Sequence, residues 1–165
     1  MNIILAADHA GFELKEFLKT ELIKDGHTVT DCGAETLHAD DDYPVIIANA
    51  TKKLLEELKH DPLAKGVFIG GSGQGEAMVA NRFKGIRATV YYGEDMVPVN
   101  GKPNEILFLS HEHNDANVLS LGARFMTHAQ ALAATILWLT NWTDGKKVID
   151  ERHAKRIALI DELTS

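Results

Sequence analysis

The chain has 165 residues, 45% of them hydrophobic, with 17 Lys and Arg against 24 Asp and Glu and a formal net charge of −7. That length suits one domain over residues 1–165, no Pro, Gly or Ser-rich linker divides it, and the acidic balance offers no basic stripe to a nucleic acid. The single cysteine, Cys32, cannot close an internal disulfide, the opening apolar run meets Asp8 too early for a signal peptide, and no segment is long enough to span a bilayer, so a cytoplasmic chain with neither nucleic-acid nor membrane partner is expected.

Short apolar runs alternate with helix-period segments, the pattern of an α/β fold with a parallel sheet covered on both faces. Ile3 to Ala7 predicts the first strand. Leu14, Phe17, Leu18 and Leu22 then share one helical face that stops at Gly26, and a less apolar second strand around Val29 leads into a loop rich in Asp. Pro44 opens a helix that runs through Ile47, Leu54 and Leu58 to a break before Pro62. Gly66 to Ile69 predicts a buried third strand, and a helix through Ala77, Met78, Ala80 and Asn81 follows a glycine-dense turn. Ile86 to Tyr92 predicts the fourth strand and Val118 to Leu121 the fifth, with His111, Glu112 and His113 on the loop between them. Thr127 and Gln130 have capping-box spacing ahead of Leu132, Ile136, Leu137 and Leu139, and a last helix covers about Lys147 to Leu163. Trp138 and Trp142, at helical spacing, predict core or subunit contacts rather than ligand stacking.

The glycine turn carries the chemistry. Gly70-Gly71-Ser72-Gly73-Gln74-Gly75-Glu76 follows an apolar strand, leaves backbone N–H groups free to face an anion and ends on one carboxylate in a helix's first turn. Such a nest stabilises a phosphate or a developing oxyanion, and a carboxylate beside it can take a proton from carbon, which together suggest an enolising enzyme. A P-loop needs Lys then Ser or Thr after its last glycine, where Glu76 and Ala77 stand instead. A dinucleotide fingerprint needs G-x-G-x-x-G in a first strand-turn-helix, whereas this is G-x-G-x-G in the third. A tight turn whose glycines only permit positive φ is the remaining alternative.

In an open α/β sheet ligands gather beyond the carboxyl ends of the strands. Asp8 and His9 follow strand one, His113 and Asn114 precede strand five, Arg124 follows it, and all are expected to bring their side chains to that site. Arg152 and Arg156, four apart on the last helix, can grip one phosphate. Each has a plainer reading. Asp8 would serve as a helix cap, and the arginines, among Glu151, Lys155 and Asp161, as a solvated face. The H-E-H string lacks the spacing of a zinc helix, so no metal is expected.

The strings AADHAGFELK, GGSGQGEAMVAN, HEHNDANVLSLGAR and ERHAKR, in this order, resemble the type B ribose-5-phosphate isomerases and their galactose-6-phosphate isomerase relatives over most of the chain. The resemblance implies interconversion of a phosphorylated aldose and ketose, without metal or organic cofactor. It also implies a Rossmann-like three-layer αβα sandwich with a five-stranded parallel sheet, whose C-terminal helix contributes to a dimer that completes the sites, or to a dimer of dimers. One branch of the family uses a cysteine just before the turn as base; Gly70 stands there, and the chain resembles the other branch, in which Glu76 is the base and Ser72 the accompanying hydroxyl. By the same resemblance His113, with Asp8 nearby, opens the sugar ring, and Glu76 moves the proton between C1 and C2 through an enediolate held by residues 71 to 75 (Gly71, Ser72, Gly73, Gln74, Gly75). Asn114 contacts the sugar, His9, Arg152 and Arg156 hold the phosphate, and Arg124 supports that pocket.

The chain departs from the family's pattern in two places. Gly93 to Leu109 is longer than the usual connection and contains Asn100-Gly101, a hairpin-type turn signal, and Asp144 to Asp150 replaces a shorter approach to the arginine motif. Ribose 5-phosphate is therefore the leading substrate, with tetrulose phosphate and allose or galactose 6-phosphate as variants and a noncatalytic phosphosugar-binding module as the other class.

Overall fold

The computed structural model of the protein describes residues 1–37, 40–93, 105–140 and 149–163. Five strands, β1 (Asn2–Ala7), β2 (Thr28–Asp31), β3 (Lys65–Gly70), β4 (Ala88–Tyr91) and β5 (Val118–Gly122), pair in the order β2-β1-β3-β5-β4, and every pairing is parallel. Six helices accompany them: α1 (Phe12–Lys24), α2 (Tyr43–Leu58), α3 (Gln74–Ala80), α4 (Glu105–Asn114), α5 (His128–Thr140) and α6 (Glu151–Leu163). None of the described helices is long and apolar enough to cross a membrane.

The period-2 direction of side chains along a strand divides β1 between two cores. Ile3, Leu5 and Ala7 point to one face, where they meet Leu14, Leu18 and Leu22 of α1, Leu107 of α4 and Ala131, Ala134 and Trp138 of α5. Ile4 and Ala6 point to the other, against Ile47, Ala50 and Leu54 of α2 and Ala80 of α3. The result is the expected three-layer αβα sandwich, Rossmann-like in topology, with the chain running from β1 outward in both directions. The crevice between β1 and β3 is the switch point of such a sheet.

Local signals set most element ends. Pro44 lies in the first turn of α2, where its missing N–H has no helical partner to lose. Thr127 and Gln130 form the reciprocal box at α5: the Gln130 N–H donates to Thr127 Oγ1 at 3.2 Å and the Thr127 N–H to Gln130 Oε1 at 2.9 Å. Three expectations need correction. The fourth strand is shorter than Ile86 to Tyr92, because the Arg87 N–H donates to the side-chain Oδ1 of Asn117 at 2.9 Å instead of joining a ladder. The last helix begins at Glu151 rather than near Lys147, with Asp150 outside it accepting from the Arg152 N–H at 2.9 Å.

The third correction is the largest. Residues 105–114 are helix α4, so His111 and His113 lie in a helical last turn, not on a loop. The inward face of α4 is Leu107, Ser110 and His111, two polar residues of three, which hides its period from any reading of apolar positions. Those polar groups are satisfied inside: the Trp138 indole N–H donates to Ser110 Oγ at 3.2 Å, and His111 Nε2 meets the Trp138 carbonyl at 2.8 Å. Trp138 is therefore core, as expected, while Trp142, Asn100-Gly101 and most of Asp144 to Asp150 lie outside the described residues.

Candidate active site

A cleft of about 440 Å³ opens beyond the carboxyl ends of β1, β3 and β5, lined among others by Asp8, His9, Gly71, Ser72, Glu76 and Arg124. Its floor is the glycine turn. Gly73 takes φ 73°, a left-handed conformation that costs a side-chain-bearing residue energy, and so turns β3 sharply into α3. The Ser120 hydroxyl holds that turn by donating to the Gly73 carbonyl at 2.7 Å, and Ser72 Oγ accepts from the Gln74 N–H at 3.3 Å. Arg124 lies against Gly71, and the ring of Tyr43 lies against Gly75.

Glu76 is 4% exposed. A Cβ added to Gly70 would fall on its carboxylate, so the acid occupies the space that any side chain at position 70 would need. Burial pushes the Glu76 carboxyl up; a backbone N–H bond opposes that, and the charge of Asp8 adds to it. Asp8 itself is 7% exposed and caps the turn after β1, its Oδ1 accepting from the N–H groups of Ala10 at 3.0 Å and Gly11 at 3.1 Å. The capping reading and the cleft position hold together for the same residue.

His9 is paired with a residue the sequence left anonymous within its Asp-rich loop. Its backbone N–H donates to Asp41 Oδ1 at 3.1 Å, and its ring Nδ1 lies 2.6 Å from the same oxygen. That hydrogen bond raises the imidazole's pKa, so His9 keeps its charge to higher pH. Asp8, His9 and Asp41 place one ligand-type atom each within 4.8 Å of the others. The carboxylates of Asp8 and Asp41 instead hydrogen-bond backbone N–H groups and the His9 ring, which makes the trio a charge-orienting set. Tyr43 and Phe125 also line the cleft, and no motif in the sequence distinguishes them from core aromatics.

The expected residues divide into two groups. Asp8, His9, Gly71, Ser72, Gly75, Glu76 and Arg124 meet in the cleft. Gly73 and Gln74 support it from behind, with the Gln74 amide donating to the Tyr92 hydroxyl at 2.6 Å. His113, Asn114, Arg152 and Arg156 do not join them. In a parallel sheet a residue that precedes a strand sits at its amino end, so the ends of α4 and β5 put His113 and Asn114 opposite the cleft. The five residues of β5, at about 3.3 Å each, separate the two ends by on the order of 15 Å. Arg152 stays with His113, because its neighbour His153 stacks on the His113 ring with centroids 4.2 Å apart.

The family model described as Ribose/Galactose Isomerase matches residues 3–160. The chain belongs to the ribose/galactose isomerase family. Ribose-5-phosphate isomerase B of Mycobacterium tuberculosis is 36% identical over 164 residues, covering 98% of this chain and 89% of the relative. Among solved structures, ribose-5-phosphate isomerase B of Clostridium thermocellum superposes with a TM-score of 0.81 at 30% identity, over 99% of this chain and 97% of its own. That of Mycoplasma genitalium, determined with bound ribulose 5-phosphate, has a TM-score of 0.81 at 28% identity, over 98% of this chain and 95% of its own. The protein is thus an aldose–ketose isomerase by family.

Proposed function

We propose that the protein interconverts ribose 5-phosphate and ribulose 5-phosphate by proton transfer through an enediolate, with Glu76 as the base. The observation that carries this reading is the placement of a buried, basicity-raised carboxylate at the mouth of an N–H-rich turn, in a cleft that also holds His9 and Arg124. A carboxylate held above its ordinary pKa takes a carbon-bound proton more readily. Glu76 removes the proton from C2 of the open-chain aldose and returns it to C1, while a proton passes from O2 to O1. The N–H groups of residues 71–75 and Ser72 meet the enediolate charge between the two transfers.

His113 is the acid–base that opens the sugar ring, with Asp8 at the reacting end. His9, Arg152 and Arg156 take the phosphate, Arg124 supports it, and Asn114 contacts the sugar. Because His113, Asn114, Arg152 and Arg156 stand at the amino end of the sheet, the reading requires a second copy of the chain to bring its amino-end group to this cleft. A homodimer is therefore the working unit, pairs of dimers being compatible with it. Helix α6 is the natural contributor to the contact: Leu159, Ile160 and Leu163 are exposed on it. The remainder is one domain around the two cores, working in the cytoplasm in pentose phosphate metabolism, without a metal or organic cofactor.

The test is interconversion of the two pentose phosphates by the purified protein beside Glu76→Gln, with no added metal. Activity that collapses in the variant while ribulose 5-phosphate still binds supports the reading. An inactive wild type that binds pentose phosphate turns the assignment toward four-carbon or six-carbon sugar phosphates, and inactivity on those as well leaves a binding module.

A further inference from the structure

His153 is the buried residue of α6, at 6% exposure, on a helix that among the described residues joins neither hydrophobic core. Burying a polar ring between two helices removes its hydration, so its surroundings must compensate. One face of the ring lies on His113, with centroids 4.2 Å apart and planes inclined by 15°. Its Nε2 lies 3.2 Å from Arg152 Nη2, close enough to accept a guanidinium N–H, provided the proton of the neutral ring is on Nδ1. His113, by contrast, is 40% exposed in its side chain at the end of α4, where an unrestrained imidazole would sample several rotamers.

We infer that His153 is a positioning residue that sets the plane of His113 by stacking and the direction of the Arg152 guanidinium by accepting its N–H. The inference rests on the reading of His113 as the ring-opening group and Arg152 as a phosphate ligand. One ring thereby links the two jobs of the amino-end group, because ring opening and phosphate grip must share one substrate geometry. The charged and titratable groups around it are His113 from α4, which has Glu112 4.0 Å from its own Nε2, and Asp150, Arg152 and Arg156 from its own segment. Burial, His113 and Arg152 hold His153 below the ordinary histidine range, with Asp150 opposing them; this keeps the Nε2 lone pair available.

The experiment compares wild type, His153→Ala, His153→Phe and His113→Ala in two readouts. These are the kcat and KM from ribose 5-phosphate, and solvent-deuterium incorporation at C1 of ribulose 5-phosphate. Deuterium incorporation starts from an open-chain ketose and needs no ring opening. In H153A, kcat from ribose 5-phosphate should fall by about 10- to 100-fold with deuterium incorporation within about threefold of wild type. Phenylalanine keeps a flat ring but accepts no hydrogen bond, so H153F should recover kcat to within about threefold while KM stays about tenfold high. Wild-type constants in H153A beside a crippled H113A overturn the role of His153 alone, and so does a parallel fall of turnover and deuterium incorporation. A kcat loss that phenylalanine does not rescue also overturns positioning by stacking. Unchanged turnover in H113A overturns instead the assignment of His113 on which the inference rests.

Discussion

The cleft at the carboxyl end of the sheet and the polar group at its amino end are built by different physics. The cleft is mostly backbone: a left-handed glycine, a strand that ends on Gly70, and N–H groups held in place by Ser120 and by the cap at Asp8. The carboxylate proposed as its base, Glu76, is packed to 4% exposure. The amino-end group is mostly long side chains on two helix ends, with His113 stacked on His153 and Arg152 beside them. A rigid half suits the proton transfer, in which small displacements weaken an enediolate's stabilisation. An adaptable half suits the capture of a phosphate, where a guanidinium can reach. On the proposed reading the cleft lacks the ring-opening group and the amino end lacks the base, and within one chain the sheet holds them apart.

The sharpest way to break this comparison is at the base. Glu76→Gln should reduce turnover by about 10³-fold, measured in the ribose 5-phosphate assay, because the amide cannot take the proton. The same change should stabilise the fold at alkaline pH. A carboxyl whose pKa is raised on folding stabilises the native state while protonated, and that contribution is lost as pH rises through the folded value. Melting temperatures of wild type and E76Q should therefore converge at about pH 4 and separate in favour of the variant at about pH 8. Next in size is Gly70→Ala. The new Cβ falls on the Glu76 carboxylate, a flexible end rather than backbone, so the acid must swing aside. Turnover should drop by about 10²-fold with little change in thermal stability, a split that a mere turn glycine would not give.

The separation of the two halves makes a third prediction. E76Q and H113A damage opposite ends of the sheet, so in a dimer with shared sites a mixed pair has one site with both defects and one with neither. Two inactive proteins, unfolded and refolded together, should regain about a quarter of wild-type activity. No recovery after demonstrated subunit exchange would place both residues in the same chain's site. Arg152→Ala should act more mildly, raising KM for ribose 5-phosphate about tenfold or more with a smaller effect on kcat, as loss of a charge-assisted hydrogen bond to phosphate predicts.

The sequence made the rigid half legible and the adaptable half only partly so. Glycine density, a strand of apolar residues and a carboxylate at fixed spacing are local signals, and they led to the turn, to Glu76 and to the five parallel strands. Where a residue sits relative to the two ends of a parallel sheet is not local. His113 and Asn114 lie next to β5 in sequence, yet preceding a strand rather than following it moves a residue to the far end. Helix α4 was hidden because Ser110 and His111 fill inward positions that a leucine would ordinarily mark. Asp41 was hidden for another reason: Asp40, Asp41 and Asp42 are chemically alike, and only the folded loop decides which of them reaches His9.

That last pair gives the smallest predicted effect, and its sign follows from the hydrogen bond. Asp41 raises the pKa of His9, chiefly through the contact at Nδ1, so the imidazolium survives to higher pH than it would alone. In Asp41→Asn the amide still offers an oxygen to the His9 backbone N–H but no longer a full negative charge to the ring, and His9 should lose its proton earlier. At acid pH both proteins carry the cation, and at alkaline pH neither does, so KM for ribose 5-phosphate should agree at the two extremes. Between them, in the window that opens at about pH 6.5, the variant's KM should be about threefold higher. A KM difference that is constant across pH would mean that Asp41 only holds the loop in place; a difference confined to that window means that it tunes the charge His9 presents to the phosphate.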